Sequence, residues 1–115
     1  MLARSRRISR LEFETLFTEK RSLFTETVSL LYTLKNTEKP SKFAVIVSKK
    51  VAKKAVQRNY LRRVVYTIIQ KNDHIIQKTG CAGILNIKKG FAELSYEKKE
   101  ETILFLLRKS GICTQ

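Results

Sequence analysis

Basic side chains are concentrated in one part of this sequence. Between Glu38 and Asp73 lie 34 residues without a carboxylate side chain, and ten of them are lysine or arginine. Ammonium and guanidinium groups gathered without counter-charges bind phosphate oxygens, and guanidinium groups do so with paired, planar hydrogen bonds. The cluster therefore predicts contact with a polyanion.

The charge of the whole chain agrees with this prediction. The 115 residues include 24 Lys and Arg against 10 Asp and Glu, which gives a formal net charge of +14. Ten of these positive charges lie in the acid-free window, whereas the stretch after Gly90 has four acidic and four basic residues. A charge excess confined to one segment is typical of a binding face, with nucleic acid as the first candidate and an anionic membrane surface as the second.

Other kinds of chemistry have little support in the residues. No zinc-ligand spacing, glycine-rich phosphate loop or paired-carboxylate site is found, and we expect the single histidine, His74, on the surface. Cys81 and Cys113 are far apart, which favours reduced thiols in a cytoplasmic protein over a disulfide scaffold. The longest apolar runs have five residues, too few for a membrane-spanning helix.

The N-terminal half predicts one helix and two strands. Ser9 and Glu12 fit the pattern of a capping box, which predicts a helix over residues 10–19. Alternating apolar residues predict a half-buried strand over residues 28–34, and residues 43–48 predict a second, more fully buried strand. We expect the two strands to form an antiparallel hairpin.

The C-terminal half predicts a long helix, a strand and a last helix within a single domain of residues 1–115. The long helix, residues 51–71, has two stripes with helical spacing. The core-facing stripe is Leu61, Val64, Val65 and Ile68, and the opposite one is Asn59, Arg62, Arg63 and Tyr66. A strand over residues 82–87 completes a β-α-β unit, and the last helix, residues 96–109, has Ser95 as its cap and Gly111 as its stop.

The long helix contradicts the usual electrostatic rules. Four lysines crowd its N-terminus, where positive charge opposes the helix dipole, and Arg58 and Arg62 are like charges one turn apart. The lysines are Lys49, Lys50, Lys53 and Lys54. A bound polyanion would relieve both conflicts, because helix amides and lysines together make a phosphate site.

These residues also resemble a known family. The run from Lys49 to Arg63 closely resembles the signature helix of the bacterial ribonuclease P protein subunit, whose core is Arg-Asn-Arg followed by an apolar residue and two basic ones. The resemblance extends over residues 4–110 in order and size. One departure is Tyr60, which stands where the family usually has the second arginine, and whose ring could hydrogen-bond to or stack on RNA.

The resemblance implies an α+β sandwich: a mixed sheet packed against helices, ribosomal-protein-like, with a left-handed β-α-β crossover. General rules alone would predict a right-handed one. The resemblance implies binding to a large catalytic RNA that cuts the 5′ leader from precursor tRNA, with Mg²⁺ held mainly by that RNA and no cofactor bound firmly by the protein. The catalytic site of this endoribonuclease is then expected in the RNA subunit, with no catalytic residue in the protein.

The resemblance also implies two RNA-facing surfaces. The residues expected to meet the RNA subunit are Lys49, Lys50, Lys53, Lys54, Arg58, Asn59, Arg62 and Arg63. A cleft between the sheet and the first helix would hold the tRNA leader, with Phe13, Phe17 and Tyr32 stacking on its bases. The other phenylalanines that we assign, all to packing, are Phe24, Phe43, Phe91 and Phe105.

Two alternative functions are consistent with the charge. A basic ribosomal or nucleoid-associated protein would bind nucleic acid without a role in cleavage. A peripheral membrane protein would need a helix with a broad apolar face, which the basic helix lacks.

Overall fold

The computed structural model of the chain describes residue 8 and residues 21–34 and 41–113. Within these residues the polypeptide forms a four-stranded mixed sheet in the order β1-β2-β4-β3. The strands are β1 (Arg21–Phe24), β2 (Val28–Leu34), β3 (Lys42–Val47) and β4 (Cys81–Ile87). β1 and β4 each pair antiparallel with β2, whereas β3 pairs parallel with β4. The predicted helix over residues 10–19 lies outside the described residues.

The predicted hairpin between β2 and β3 is wrong, because β4 lies between these strands. The burial pattern explains the order. β4 is buried on both faces over most of its length, including the consecutive Gly83, Ile84 and Leu85, which suits a central strand. β3 lies at the edge of the sheet, and its buried residues alternate with half-buried ones. This strand is therefore less buried than predicted.

The predicted β-α-β unit is confirmed. The crossover helix, α1 (Ala55–Lys71), joins the parallel strands β3 and β4, and a short 3-10 turn (Asp73–Ile75) follows it. Leu61, Val65 and Ile68 of the predicted core stripe are buried, and Val64 is half-buried. The hand of the crossover stays a prediction.

Tyr66 is the exception to the predicted stripes of α1. The prediction placed it on the solvent side, but it is only 8% exposed and belongs to the core. The buried face of α1 is wider than the predicted stripe, because the helix packs against both β3 and the last helix, α2 (Tyr96–Ser110). Ile69, three residues after Tyr66, is buried on the same side.

The last helix matches its prediction at both ends. The Ser95 hydroxyl oxygen accepts a hydrogen bond from the Lys98 amide at 3.2 Å, as an N-cap should. Gly111 ends the helix with a left-handed backbone (φ 88°), a conformation that glycine adopts without a Cβ penalty. None of the described helices is long and apolar enough to cross a membrane.

The phenylalanines divide into two groups. Phe43 and Phe91 are fully buried, which confirms their packing role. Phe24 and Phe105 are 67% and 51% exposed, so their assignment to packing is wrong. Phe24 lies at the end of the edge strand β1 and Phe105 lies on the outer side of α2, and no described element covers either ring.

Both cysteines are free thiols buried in the core. Burial raises the pKa of the Cys81 and Cys113 thiols above 9.0, because the thiolate is poorly solvated there; a hydrogen bond with Ser41 and the charge of Arg108 partly oppose this rise. Above pH 9 the unfolded chain therefore loses these protons before the folded chain does.

We expect the free energy of unfolding to fall as the pH rises above 9. Each thiol contributes up to about 1.4 kcal/mol per pH unit in the range between its unfolded and folded pKa values. Urea unfolding under reducing conditions from pH 7.5 to 10.5 measures the slope. A Cys81→Ala/Cys113→Ala variant is the control, since lysine and tyrosine titration is common to both proteins. Equal slopes in the two proteins would contradict the prediction.

Candidate nucleic-acid interface

A lysine-rich turn leads from β3 into α1. In this segment, residues 48–54, the amides of Val51 and Ala52 both donate to the carbonyl oxygen of Ser48, at 3.1 and 3.2 Å. Its four lysines, Lys49, Lys50, Lys53 and Lys54, are exposed. The prediction of a helix from residue 51 is therefore wrong by one turn. The mutual repulsion of the lysines explains the later start, because a helix would place Lys50 and Lys54 one above the other.

The start of α1 has no capping side chain. Lys54 occupies the cap position with an extended backbone and makes no side-chain hydrogen bond to the helix, and the first turn contains no acidic residue. The first amides of a helix carry partial positive charge and have no partner within the helix. With four lysines directly before it, this helix start attracts anions such as phosphate groups.

Arg58 fixes the lysine turn to the helix. Its Nη1 donates to the carbonyl oxygens of Ala52 and Lys53, at 3.0 and 2.8 Å. The sequence predicted that Arg58 contacts RNA directly. In the structure one nitrogen of the guanidinium group holds the backbone of the turn, so Arg58 positions the neighbouring lysines whatever its other donors bind.

We expect Arg58→Gln to loosen this turn. Losing hydrogen bonds from a charged donor at a partly exposed site costs about 1 kcal/mol, or about a fivefold increase in local opening. Hydrogen exchange of the Val51 and Ala52 amides measures this opening. Arg63→Gln removes the same charge from an exposed side chain of the same helix and should leave both amides unchanged. Equal exchange in the two variants would contradict the bracing role.

The remaining signature residues follow along α1. Arg62 is half-buried and its Nη2 donates to Oδ1 of Asn59, while Asn59, Tyr60 and Arg63 are exposed. Asn59 therefore orients the planar guanidinium group of Arg62.

The seven cations of the turn and helix make one surface, which we call the basic face. It consists of Lys49, Lys50, Lys53, Lys54, Arg58, Arg62 and Arg63. The ion pairs of the described residues include Lys71 with Glu100 and Lys98 with Glu101, and no described carboxylate pairs with the basic face. A face of seven like charges with no counter-charge from the described part of the chain is arranged for an anionic partner.

A second basic turn lies beside the first. Val47 of β3 pairs with Ile87 of the parallel strand β4. The C-terminal ends of both strands therefore lie side by side, along the edge of the sheet that is formed by strand ends. One continues into the lysine-rich turn and the other into Lys88 and Lys89. Sequence reasoning missed this neighbourhood, although the lysine pair directly after a predicted strand was a usable signal once β3 and β4 were taken as parallel.

Phe24 lies at this same edge. The Lys88 ammonium group is 5.1 Å from the centre of the Phe24 ring and donates to the carbonyl oxygen of Thr25 at 3.3 Å. The exposed ring is therefore held beside a cation, an arrangement that suits contact with single-stranded nucleic acid.

The predicted leader-binding residues are placed only in part. Phe13 and Phe17 lie outside the described residues. Tyr32 pairs with Gly83 on the sheet face that is covered by α1 and α2, and it is 8% exposed, which leaves little ring surface for stacking. His74 is exposed, as predicted. The described residues contain no group of three His, Cys, Asp or Glu side chains that could hold a metal ion.

Comparisons with known proteins agree with the resemblance. A family model described as Ribonuclease P matches residues 2–111. The ribonuclease P protein component of Microcystis aeruginosa is 40% identical over 73 residues, 64% of this chain and 60% of that protein. The one from Mycoplasma genitalium is 30% identical over 97 residues, 84% of this chain and 73% of that protein. The chain thus aligns with about three fifths to three quarters of the length of these relatives.

Solved structures agree as well. The RNase P protein from Thermotoga maritima superposes with a TM-score of 0.78 at 28% identity, over 90% of this chain and 96% of that one. The RNase P protein of Staphylococcus aureus shares the fold, with a TM-score of 0.81 over 96% and 99% of the two chains, at 16% identity. Because the family model covers nearly the whole sequence, this chain belongs to the Ribonuclease P protein family.

Proposed function

We propose that this chain is the protein subunit of ribonuclease P, which binds the catalytic RNA subunit and assists endonucleolytic removal of the 5′ leader from precursor tRNA. The observation that carries the proposal is the basic face, which occupies the signature segment of the matched family without a described carboxylate partner. In this proposal the RNA subunit holds the catalytic site and the Mg²⁺ ions.

The basic face is the proposed contact for the RNA subunit. The lysine turn and the uncapped start of α1 would bind phosphates, Arg62 and Arg63 would add planar donors, and Asn59 would orient Arg62. Lys88 and Lys89 extend this surface along the edge of the sheet. The cytoplasm is the proposed location, since both cysteines are free, the usual state in a reducing compartment.

Cleavage of precursor tRNA at low Mg²⁺ tests the function. Added to its cognate RNA subunit, the chain should increase the cleavage rate and tighten the binding of precursor tRNA. The RNA subunit alone and the RNA subunit with polylysine of equal charge are the controls. If the chain does not stimulate an RNA subunit that is active at high Mg²⁺, the proposed function is refuted. Co-sedimentation with ribosomes without preference for precursor tRNA would support the alternative of a ribosomal protein.

The leader is the second proposed RNA contact, through Phe13 and Phe17, to which Tyr32 adds little because its side chain is only 8% exposed. Phe13→Leu and Phe17→Leu should each lower the preference for precursor over mature tRNA about fivefold, the lower end for the loss of one stacked base. Binding of the RNA subunit should not change. Phe105→Leu, which alters an exposed ring on α2, is the matched control. If Phe13→Leu or Phe17→Leu unfolds the protein instead, that residue belongs to the core.

A further inference from the structure

The outermost ridge of α1 carries apolar and aromatic surface. Val56, Tyr60, Arg63 and Thr67 follow one another at helical spacing, on the side opposite the buried Leu61, Val65 and Ile68. Val56 is 77% exposed and Tyr60 is 62% exposed. The part of the helix that projects farthest toward a partner is therefore a methyl-bearing side chain and a phenol ring.

This exposure needs an explanation. The outer ridge of a solvated helix is normally polar, and a large exposed ring gains nothing from its own fold. Residues three or four apart on a helix are neighbours, so Val56 flanks the Tyr60 ring on one side and Arg63 flanks it on the other. The ring is thus placed between an aliphatic support and a cation.

The surroundings of Tyr60 define what can cover it. The partner must offer a flat apolar surface to the ring and negative charge to the cations on both sides, since the lysine turn precedes Val56 and Arg63 follows Tyr60. An unpaired nucleotide meets both requirements, because its base has π faces and its phosphates are anionic. A protein partner would need a dense cluster of carboxylates around an apolar pocket.

We propose that Tyr60 stacks on an unpaired nucleobase of the RNA subunit, with Val56 beside the ring and Arg63 at an adjacent phosphate. This inference rests on the proposed function and adds a base contact to it. A tyrosine at this position makes a contact without charge, whereas the arginine that the family usually has there carries one. The expected signature is a contribution of Tyr60 to RNA affinity that does not change with salt.

Binding of the RNA subunit at several salt concentrations tests the proposal. Tyr60→Leu should weaken binding by about fivefold to 150-fold, the range for one stacked base, without changing the slope of log affinity against log salt. Tyr60→Phe should bind as the original chain does. Tyr60→Arg should steepen the slope by about 0.7 to 0.9, the value for one added phosphate contact. Tyr96→Leu alters an exposed tyrosine on α2 and is the matched control.

A fluorescence measurement gives an independent readout. The chain contains no tryptophan, so Tyr60→Trp introduces a single indole on the ridge. Stacking on a base should quench its emission when the RNA subunit is added, whereas Tyr96→Trp should show no quenching.

The outcomes separate this inference from the function on which it rests. If Arg62→Gln and Arg63→Gln weaken RNA binding while Tyr60→Leu does not, the base contact is refuted and the function stands. A loss in Tyr60→Phe equal to that in Tyr60→Leu would also refute stacking, because it would assign the contact to the hydroxyl group. If the chain neither binds the RNA subunit nor stimulates cleavage, the function itself fails.

Discussion

Replacing Arg58, Arg62 and Arg63 together with glutamine is expected to weaken binding of the RNA subunit about a hundredfold at 0.15 M salt. Each phosphate contact releases condensed counterions and makes the plot of log affinity against log salt steeper by about 0.7 to 0.9. The loss of three contacts should therefore reduce the magnitude of this slope by about two to three. Arg62 and Arg63 would act through their own donors. Arg58 would act in addition through the lysine turn, whose backbone it holds.

Comparison of variants separates these contributions. The double variant Arg62→Gln/Arg63→Gln should lower the slope by about one to two, and adding Arg58→Gln should cost more than one further contact, because the lysines of the turn lose their fixed positions. The matched control removes three charges elsewhere, in Lys78→Gln/Lys98→Gln/Lys109→Gln, and should change the slope by much less. A slope that is the same in the triple arginine variant and in the unmodified chain would show that these arginines do not contact phosphate.

The sequence predicted the location of the basic face better than its internal arrangement. An acid-free window and like charges one turn apart are visible in the residue order alone. The hydrogen bonds from Arg58 to the lysine-rich turn could not be predicted. They join the helix to carbonyl groups five and six residues earlier, outside any regular helical pattern. The start of α1 was predicted one turn too early for a different reason. Residues 48–54 have types that are compatible with a helix, but the repulsion between their charges favours a turn.

Local signals and strand pairing differed in how well they could be predicted. The last helix has its cap, its charges and its terminal glycine within its own sequence, so its ends agree with the structure to within one residue. The pairing of β2 depends on which distant strand is buried on both faces. That strand is β4, which lies far along the chain: the paired residues Leu34 and Cys81 are 47 positions apart. β1 has one half-buried residue among four and too little apolar alternation to be predicted.

The neighbourhood of Phe24, Lys88 and Lys89 shows how an error in topology hides a site. With β2 and β3 taken as a hairpin, the ends of β3 and β4 need not meet, and nothing connects Lys88 and Lys89 with the lysine-rich turn. The parallel pairing of Val47 with Ile87 brings them to one edge. Charge patterns therefore identified the helix-borne part of the interface, whereas the part built by the sheet required the correct strand order.

Gly83 lies beside Tyr32 among tightly packed core side chains. This glycine lies in the central strand β4 between its register partners Tyr32 of β2 and Phe43 of β3. A Cβ atom there would lie 3.2 Å from Cδ1 of Leu30 and 3.5 Å from Cδ1 of both Phe43 and Ile112. The glycine thus leaves room for large side chains that are fully buried around it.

We expect Gly83→Val to lower the free energy of unfolding by about 1 to 3 kcal/mol, because its two methyl groups have to displace well-packed core side chains. Gly83→Ala should change it by less than about 1 kcal/mol, since the tip of Leu30 can shift by a few tenths of an ångström and alanine loses less backbone entropy on folding. Urea unfolding measures both variants. Ala82→Val is the control: it adds the same branched side chain to the adjacent, half-buried position on the opposite face, and it should be tolerated. A Gly83→Val protein as stable as Ala82→Val would contradict the prediction and would mean that the core around Leu30, Phe43 and Ile112 is loosely packed.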